Sequence, residues 1–91
     1  MKLWHLTPKE NLVKDPWTPW YDKAMGFVIR AETEEQARKL ATKQGGDEVD
    51  RFGGYNKEAR KDAWLNSQYS DCAELLTDGE EEVIIRDFAA A

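Results

Sequence analysis

The amino-acid sequence predicts an α+β fold: a small mixed or antiparallel sheet with one main helix packed on one face, in the order β-β-α-β-α-β. Two runs rich in β-branched and aromatic residues, Met25 to Ala31 and Glu82 to Phe88, supply the strand signal. Residues 33–46 between them carry the clearest helix start and stop. At 91 residues the chain has room for one domain, 1–91, and not for a second.

The first strand is expected from Lys2 to Leu6, with Leu3 and His5 on one side and Trp4 and Leu6 on the other. A long connection, 7–23, follows and contains all three prolines, Pro8, Pro16 and Pro19. Proline fixes φ and withholds an amide donor, so Asp15-Pro16-Trp17-Thr18-Pro19-Trp20 is neither a central strand nor a helix interior. In Met25 to Ala31, Phe27 and Ile29 face one way and Val28 and Arg30 the other.

Thr33 is the helix N-cap, and Gln36 completes a Thr-x-x-Gln capping box. Glu34 and Glu35 suit the positive end of the helix dipole. Ala37, Leu40 and Ala41 form a narrow apolar stripe, whose small alanines suggest close packing on the sheet. Gly45 and Gly46 stop the helix. Residues 45–62 read as a polar excursion with turns at Gly45-Gly46 and Gly53-Gly54. Ala63-Trp64-Leu65 is a short strand or a packed anchor. Ser70 or Asp71 then opens a helix of one to two turns through Leu76, with Cys72, Leu75 and Leu76 inward. The strand Glu82 to Phe88 closes the fold and is expected to lie as the central neighbour of Met25 to Ala31. If the next strand after the main helix runs parallel to Met25–Ala31, the link through that helix is a right-handed crossover.

Composition excludes several classes. Ten aromatic residues, four of them tryptophan, argue for a packed chain rather than a disordered one. The net charge is −5, with +2 over residues 1–30 and −7 over residues 31–91. An acidic body disfavours non-specific nucleic-acid binding, which needs clustered Lys and Arg. One cysteine and one histidine leave no ligand set for a structural zinc site and no internal disulfide. No apolar run approaches a membrane span, and Met1 to Leu6 does not read as a signal peptide, so a reducing cytoplasmic compartment is the expectation.

Reactive constellations are equally sparse. His5 is the sole histidine, and any imidazole relay must use it. Cys72 at a helix start would be a nucleophile candidate, but Asp71 and Glu74 beside it favour the protonated thiol, and a half-buried packing role fits as well. Asp78 with Glu80-Glu81-Glu82 lacks the spacing of a calcium loop and reads as a solvated turn. The paired glycines lack the following Lys-Ser/Thr of a phosphate loop. The expectation is therefore no enzyme, no cofactor and no metal.

The segment from Pro16 to Lys23 is the informative one. Trp17, Trp20 and Tyr21, braced by two prolines, form either a lid over the sheet or a stacking platform; one ring can be buried while another is exposed. Lys23, Arg30 and Arg86 are the cations placed to hold a phosphate or a carboxylate beside such rings. Arg30 and Arg86 also suit structural ion pairs, with Asp22 and Asp87 as partners.

The pattern Pro-Trp-Tyr-Asp-Lys-Ala-x-Gly-Phe-Val-Ile-Arg-Ala-Glu-Thr-Glu-Glu-x-Ala-Arg over residues 19–38 resembles a group of small uncharacterised proteins of bacteria and of phage or prophage. Trp64-Leu65, the Tyr69-Ser70-x-Cys72-x-Glu74-Leu75 stretch and Val83-Ile84-Ile85-Arg86-Asp87-Phe88 share the likeness. It covers most of the chain except residues 45–62 and implies no particular chemistry. A phage association implies an anti-defence protein that works by occupying a partner's surface or sequestering a nucleotide signal. The expected function is accordingly a small non-catalytic binding protein, using Trp17, Trp20, Tyr21, Lys23, Arg30 and Arg86 to bind a protein partner or a nucleotide-like small molecule. A homo-oligomer is compatible with this reading. A cysteine-dependent enzyme and a plain structural or regulatory subunit are the competing classes.

Overall fold

The computed structural model describes residues 1–12, 15–17, 24–46 and 62–86. Three strands and one helix follow in the order β1 (Lys2–Pro8), β2 (Phe27–Ala31), α1 (Glu34–Gln44) and β3 (Ser70–Leu75). The strands form one antiparallel sheet ordered β2-β1-β3. β1 is the centre: Lys2 pairs with Ala31 and Leu6 with Phe27 on one side, and Leu3 pairs with Leu75 and Pro8 with Ser70 on the other.

Alternation along β1 follows the predicted faces. Trp4 and Leu6 turn to the core, and Leu6 is fully buried. They meet Phe27, Ile29 and Ala31 of β2 and Cys72 of β3, and α1 lies over this face with Ala37 and Ala41 at 0% exposure. The alanines allow a close approach of helix to sheet, as their small size requires. Trp4 Nε1 donates to the Ala31 carbonyl at 3.0 Å and pins the end of β2.

The helix starts as its sequence demands. The Gln36 amide donates to Thr33 Oγ1 at 3.2 Å, worth about 1 kcal/mol for a cap of this kind. The reciprocal arm shifts by one residue: Gln36 Oε1 accepts from the Glu32 amide rather than from that of Thr33. Gly45 ends the helix in an extended conformation, its amide donating to the Thr42 carbonyl. Asn11, just past β1, takes a left-handed φ of 57°, which asparagine tolerates better than most residues.

Several expectations are corrected. Residues 70–75 are a strand and not a helix. The Ser70 hydroxyl that looked like a cap is instead buried and bonded across the core, and six residues of pairing with β1 outweigh a local helix signal. Residues 82–86 form no strand, so the expected central pairing of Met25–Ala31 with Glu82–Phe88 is replaced by β1 between β2 and β3; residues 87 and 88 lie outside the described residues. β2 and β3 are each antiparallel to β1 and so run parallel to one another, and the link between them through α1 crosses over β1. Leu40 is 42% exposed, and the third buried position of the helix is Arg38. Thr7 and Pro8, placed in the connection, complete β1.

Ala63-Trp64-Leu65 lies in a turn, where Trp64 is the packed anchor at 0% exposure. Its ring meets Trp17 edge-on at 4.7 Å and Phe27 at 5.0 Å. Such pairs add about 0.5–1.5 kcal/mol beyond the area they bury. Trp17 and Trp64, with Pro16 beneath, close the end of the core beside β3. The excursion 47–61 lies outside the described residues.

Candidate functional site: the open face of the sheet

With α1 on one side of a three-stranded sheet, the other side has no second layer among the described residues. Strand periodicity decides what this open face carries. β1 contributes Leu3, His5 and Thr7, β2 contributes Val28 and Arg30, and β3 contributes Asp71, Ala73 and Leu75. The register sets them in rows: Arg30, Leu3, Leu75; then Val28, His5, Ala73; then Thr7 and Asp71.

At the corner near the start of β2 the face opens into a groove of about 410 Å³, lined by His5, Thr7, Met25, Val28, Ile85 and Arg86 among others. Gly26 forms part of its wall. A Cβ there would stand 3.1 Å from the Leu6 carbonyl oxygen, so the glycine permits the close approach of this segment to β1. Val28 and Met25 are 54% and 65% exposed.

Charge on this face differs from that of the whole chain. Arg30 is exposed and makes no ion pair among the described residues. Arg86 lines the groove. Among the strand residues of this face the carboxylate is Asp71, which pairs with Lys9 at 3.7 Å. Arg30 beside Leu3, Val28 and Leu75 thus gives this acidic protein one face that combines a cation with apolar side chains.

The residues singled out in the sequence separate into three groups. Trp17 is in the core, 4% exposed, with its indole Nε1 donating to the Tyr69 carbonyl at 3.0 Å and its amide to Asp15 Oδ1 at 2.8 Å. It is the lid rather than the platform. Trp20, Tyr21 and Lys23 lie outside the described residues, as do Asp22 and Asp87. Arg30 is on the open face of β2, and Arg86 lines the groove at its corner but stands on no strand end.

His5 sits half-buried between Val28 and Ala73 on the open face. Cys72 points to the core face opposite Leu6 and is half-buried. Burial pushes its thiol pKa up, the Glu34 carboxylate adds to the rise, and Arg38 opposes it. A protonated thiol facing the core is a poor nucleophile. No three His, Cys, Asp or Glu side chains converge as metal ligands among the described residues. No described helix is long and apolar enough to cross a membrane.

The sequence reading missed Arg38. Its guanidinium, 5% exposed, donates to Glu34 Oε2 at 2.8 Å, to the Trp64 carbonyl at 3.0 Å, and to the Ser70 hydroxyl and carbonyl at 2.8 and 3.2 Å. The i,i+4 spacing from Glu34 was visible in the sequence. The polar pocket that receives the arginine comes from residues 26 and 32 positions away. This cluster joins helix, turn and β3 and holds the sheet that presents the open face.

Compared with known proteins, the chain matches no family model, no curated protein sequence and no solved structure.

Proposed function

We propose that this chain is a non-catalytic binding protein whose open sheet face docks a protein partner offering carboxylates beside apolar side chains. The observation that carries the reading is the composition of that face: Leu3 and Leu75 lie in register with Arg30, Val28 lies in the next row, and Arg30 is exposed without an ion pair among the described residues, on a sheet without a second layer among them. Apolar contact supplies the affinity and Arg30 selects an acidic partner. The burial of Trp17 favours this partner over a stacked nucleotide, because one of the three rings of the supposed platform is taken by the core. In a phage or prophage setting, such a protein acts by occupying a host factor's surface.

Amide chemical shifts of the isotope-labelled chain, followed on titration with two panels, test the proposal. One panel is synthetic peptides alternating Asp or Glu with Val or Leu; the other is nucleoside mono-, di- and triphosphates. The expected result is saturable shifts at Leu3, His5, Val28 and Arg30 with peptides alone. Saturation by nucleotides alone replaces the protein partner with a nucleotide-like ligand, and no saturation by either panel overturns the open face as a binding surface.

A further inference from the structure

Residues 80–86 read Glu-Glu-Glu-Val-Ile-Ile-Arg, and Val83, Ile84 and Ile85 are 79%, 60% and 41% exposed. Three consecutive β-branched apolar residues held in water are the composition of a strand without a partner. β2, meanwhile, is paired with β1 along one side only. Among the described residues no strand pairs with its other side, so alternate amides and carbonyls of Phe27–Ala31 point outward as a template for another strand. At the Ala31 end of that edge lies a cleft of about 290 Å³ whose walls include Arg30, Gln36, Lys39, Leu40 and Lys43. Lys39 is engaged by Glu35 at 3.2 Å, while Arg30 and Lys43 make no ion pair among the described residues.

We propose that residues 82–85 of a second copy of this chain add to the outer edge of β2 as an antiparallel fourth strand, with Glu82 opposite Arg30. Val83 then stands opposite Ile29, Ile84 opposite Val28 and Ile85 opposite Phe27. Glu81 stands opposite Ala31, at the cationic cleft, and Glu80 lies past the end of β2. Neighbouring registers fail: a shift one way sets Val83 against Arg30, and a shift the other way turns the Glu82 carboxylate to the core side beside Ile29. A parallel arrangement fails as well, because it carries Arg86 to the lysines and the glutamates away from them.

A second copy is the occupant because within one chain residues 82–86 form no strand with β2; Ile85 and Arg86, which line the groove with His5, Thr7, Phe27 and Val28, leave it on exchange. Each copy carries both the donor segment and the acceptor edge, so reciprocal exchange closes a two-fold dimer. The surface is the edge of β2 and not the open face; Arg30 is common to both, and the titration shifts at Leu3, His5 and Val28 test the open face apart from the dimer.

Sedimentation velocity of the full chain from micromolar to millimolar concentration tests the dimer, with far-ultraviolet circular dichroism checking that each variant folds. The expected result is a reversible monomer–dimer equilibrium. Glu82→Arg or Arg30→Glu alone weakens it about tenfold or more, and the double swap restores it, as paired charges at an interface behave. Ile84→Pro, at a position exposed in the monomer, abolishes the dimer by removing a strand amide. A chain that stays monomeric throughout overturns the proposal. So does a dimer indifferent to both Glu82→Arg and Ile84→Pro. Amide-exchange protection of residues 82–85 that is independent of concentration assigns the edge to the chain's own segment and overturns it too.

Discussion

Arg38 Nη1 donates to the Ser70 hydroxyl at 2.8 Å, joining the helix to the first residue of β3 across 32 positions of chain. The same guanidinium reaches the Trp64 carbonyl and the Ser70 carbonyl, so one side chain ties the helix to both the turn and β3. Its neighbour Glu34 supplies the countercharge from the same helix, one turn earlier. Ser70 in turn reaches the Trp64 and Asn66 carbonyls at 3.4 Å. A buried charge is tolerated here because every partner is a hydrogen-bond acceptor in reach.

Arg38→Met fills similar volume but leaves the Trp64 and Ser70 acceptors without their donor. The expected loss of stability is about 2–4 kcal/mol by urea unfolding, since orphaned buried polar groups cost more than the net worth of their bonds. Arg38→Lys keeps the charge but not the planar fork, and an intermediate loss is expected. A loss within about 0.5 kcal/mol for Arg38→Met, the range of ordinary surface changes, contradicts the role given to this cluster.

Trp17 provides a direct test of lid against platform. Trp17→Phe retains most of the packing against Trp64 but removes the indole bond to the Tyr69 carbonyl, for an expected loss of about 1 kcal/mol. Trp17→Ala opens a cavity and is expected to lose about 3–5 kcal/mol. Neither change is expected in a ring that stands in solvent to receive a ligand, and thermal unfolding of the two variants distinguishes the cases.

Cys72 makes the stability depend on alkaline pH. Its folded-state thiol pKa is raised, so the fold favours the protonated form, and this contribution is fully present below the ordinary thiol pKa. It is lost as pH rises from there through the folded value, where the unfolded chain has released its proton and the native one still binds it. Wild type is therefore expected to lose stability over that range more steeply than Cys72→Ala, measured by urea midpoints at successive pH values. Thiol labelling of the native chain near neutral pH is expected to be slower than that of the urea-unfolded chain.

Val28 separates binding from folding. It is 54% exposed on the open face, and Val28→Thr keeps the β-branched shape. Stability is expected to change by no more than about 0.5 kcal/mol. Affinity for an acidic, apolar peptide partner is expected to fall several-fold, read by the same chemical-shift titration. Unchanged affinity places the partner elsewhere.

Local chemistry by itself determined the N-terminus of α1, the alternation of Trp4 and Leu6 against Leu3 and His5, and that of Phe27 and Ile29 against Val28 and Arg30. Caps and two-residue periods depend on neighbours a few positions apart, and those are written in the chain. Pro16 and Trp17 were legible as irregular backbone, but not as core. Tertiary structure alone decided that Ser70–Leu75 extends rather than coils, that β1 is the central strand, that Arg38 is buried, and that the exposed run Val83–Ile85 stays outside the sheet. Each of these turns on a partner far away in sequence. A short segment takes strand form only where an edge is offered to it, and a charge enters the interior only where distant acceptors converge on it.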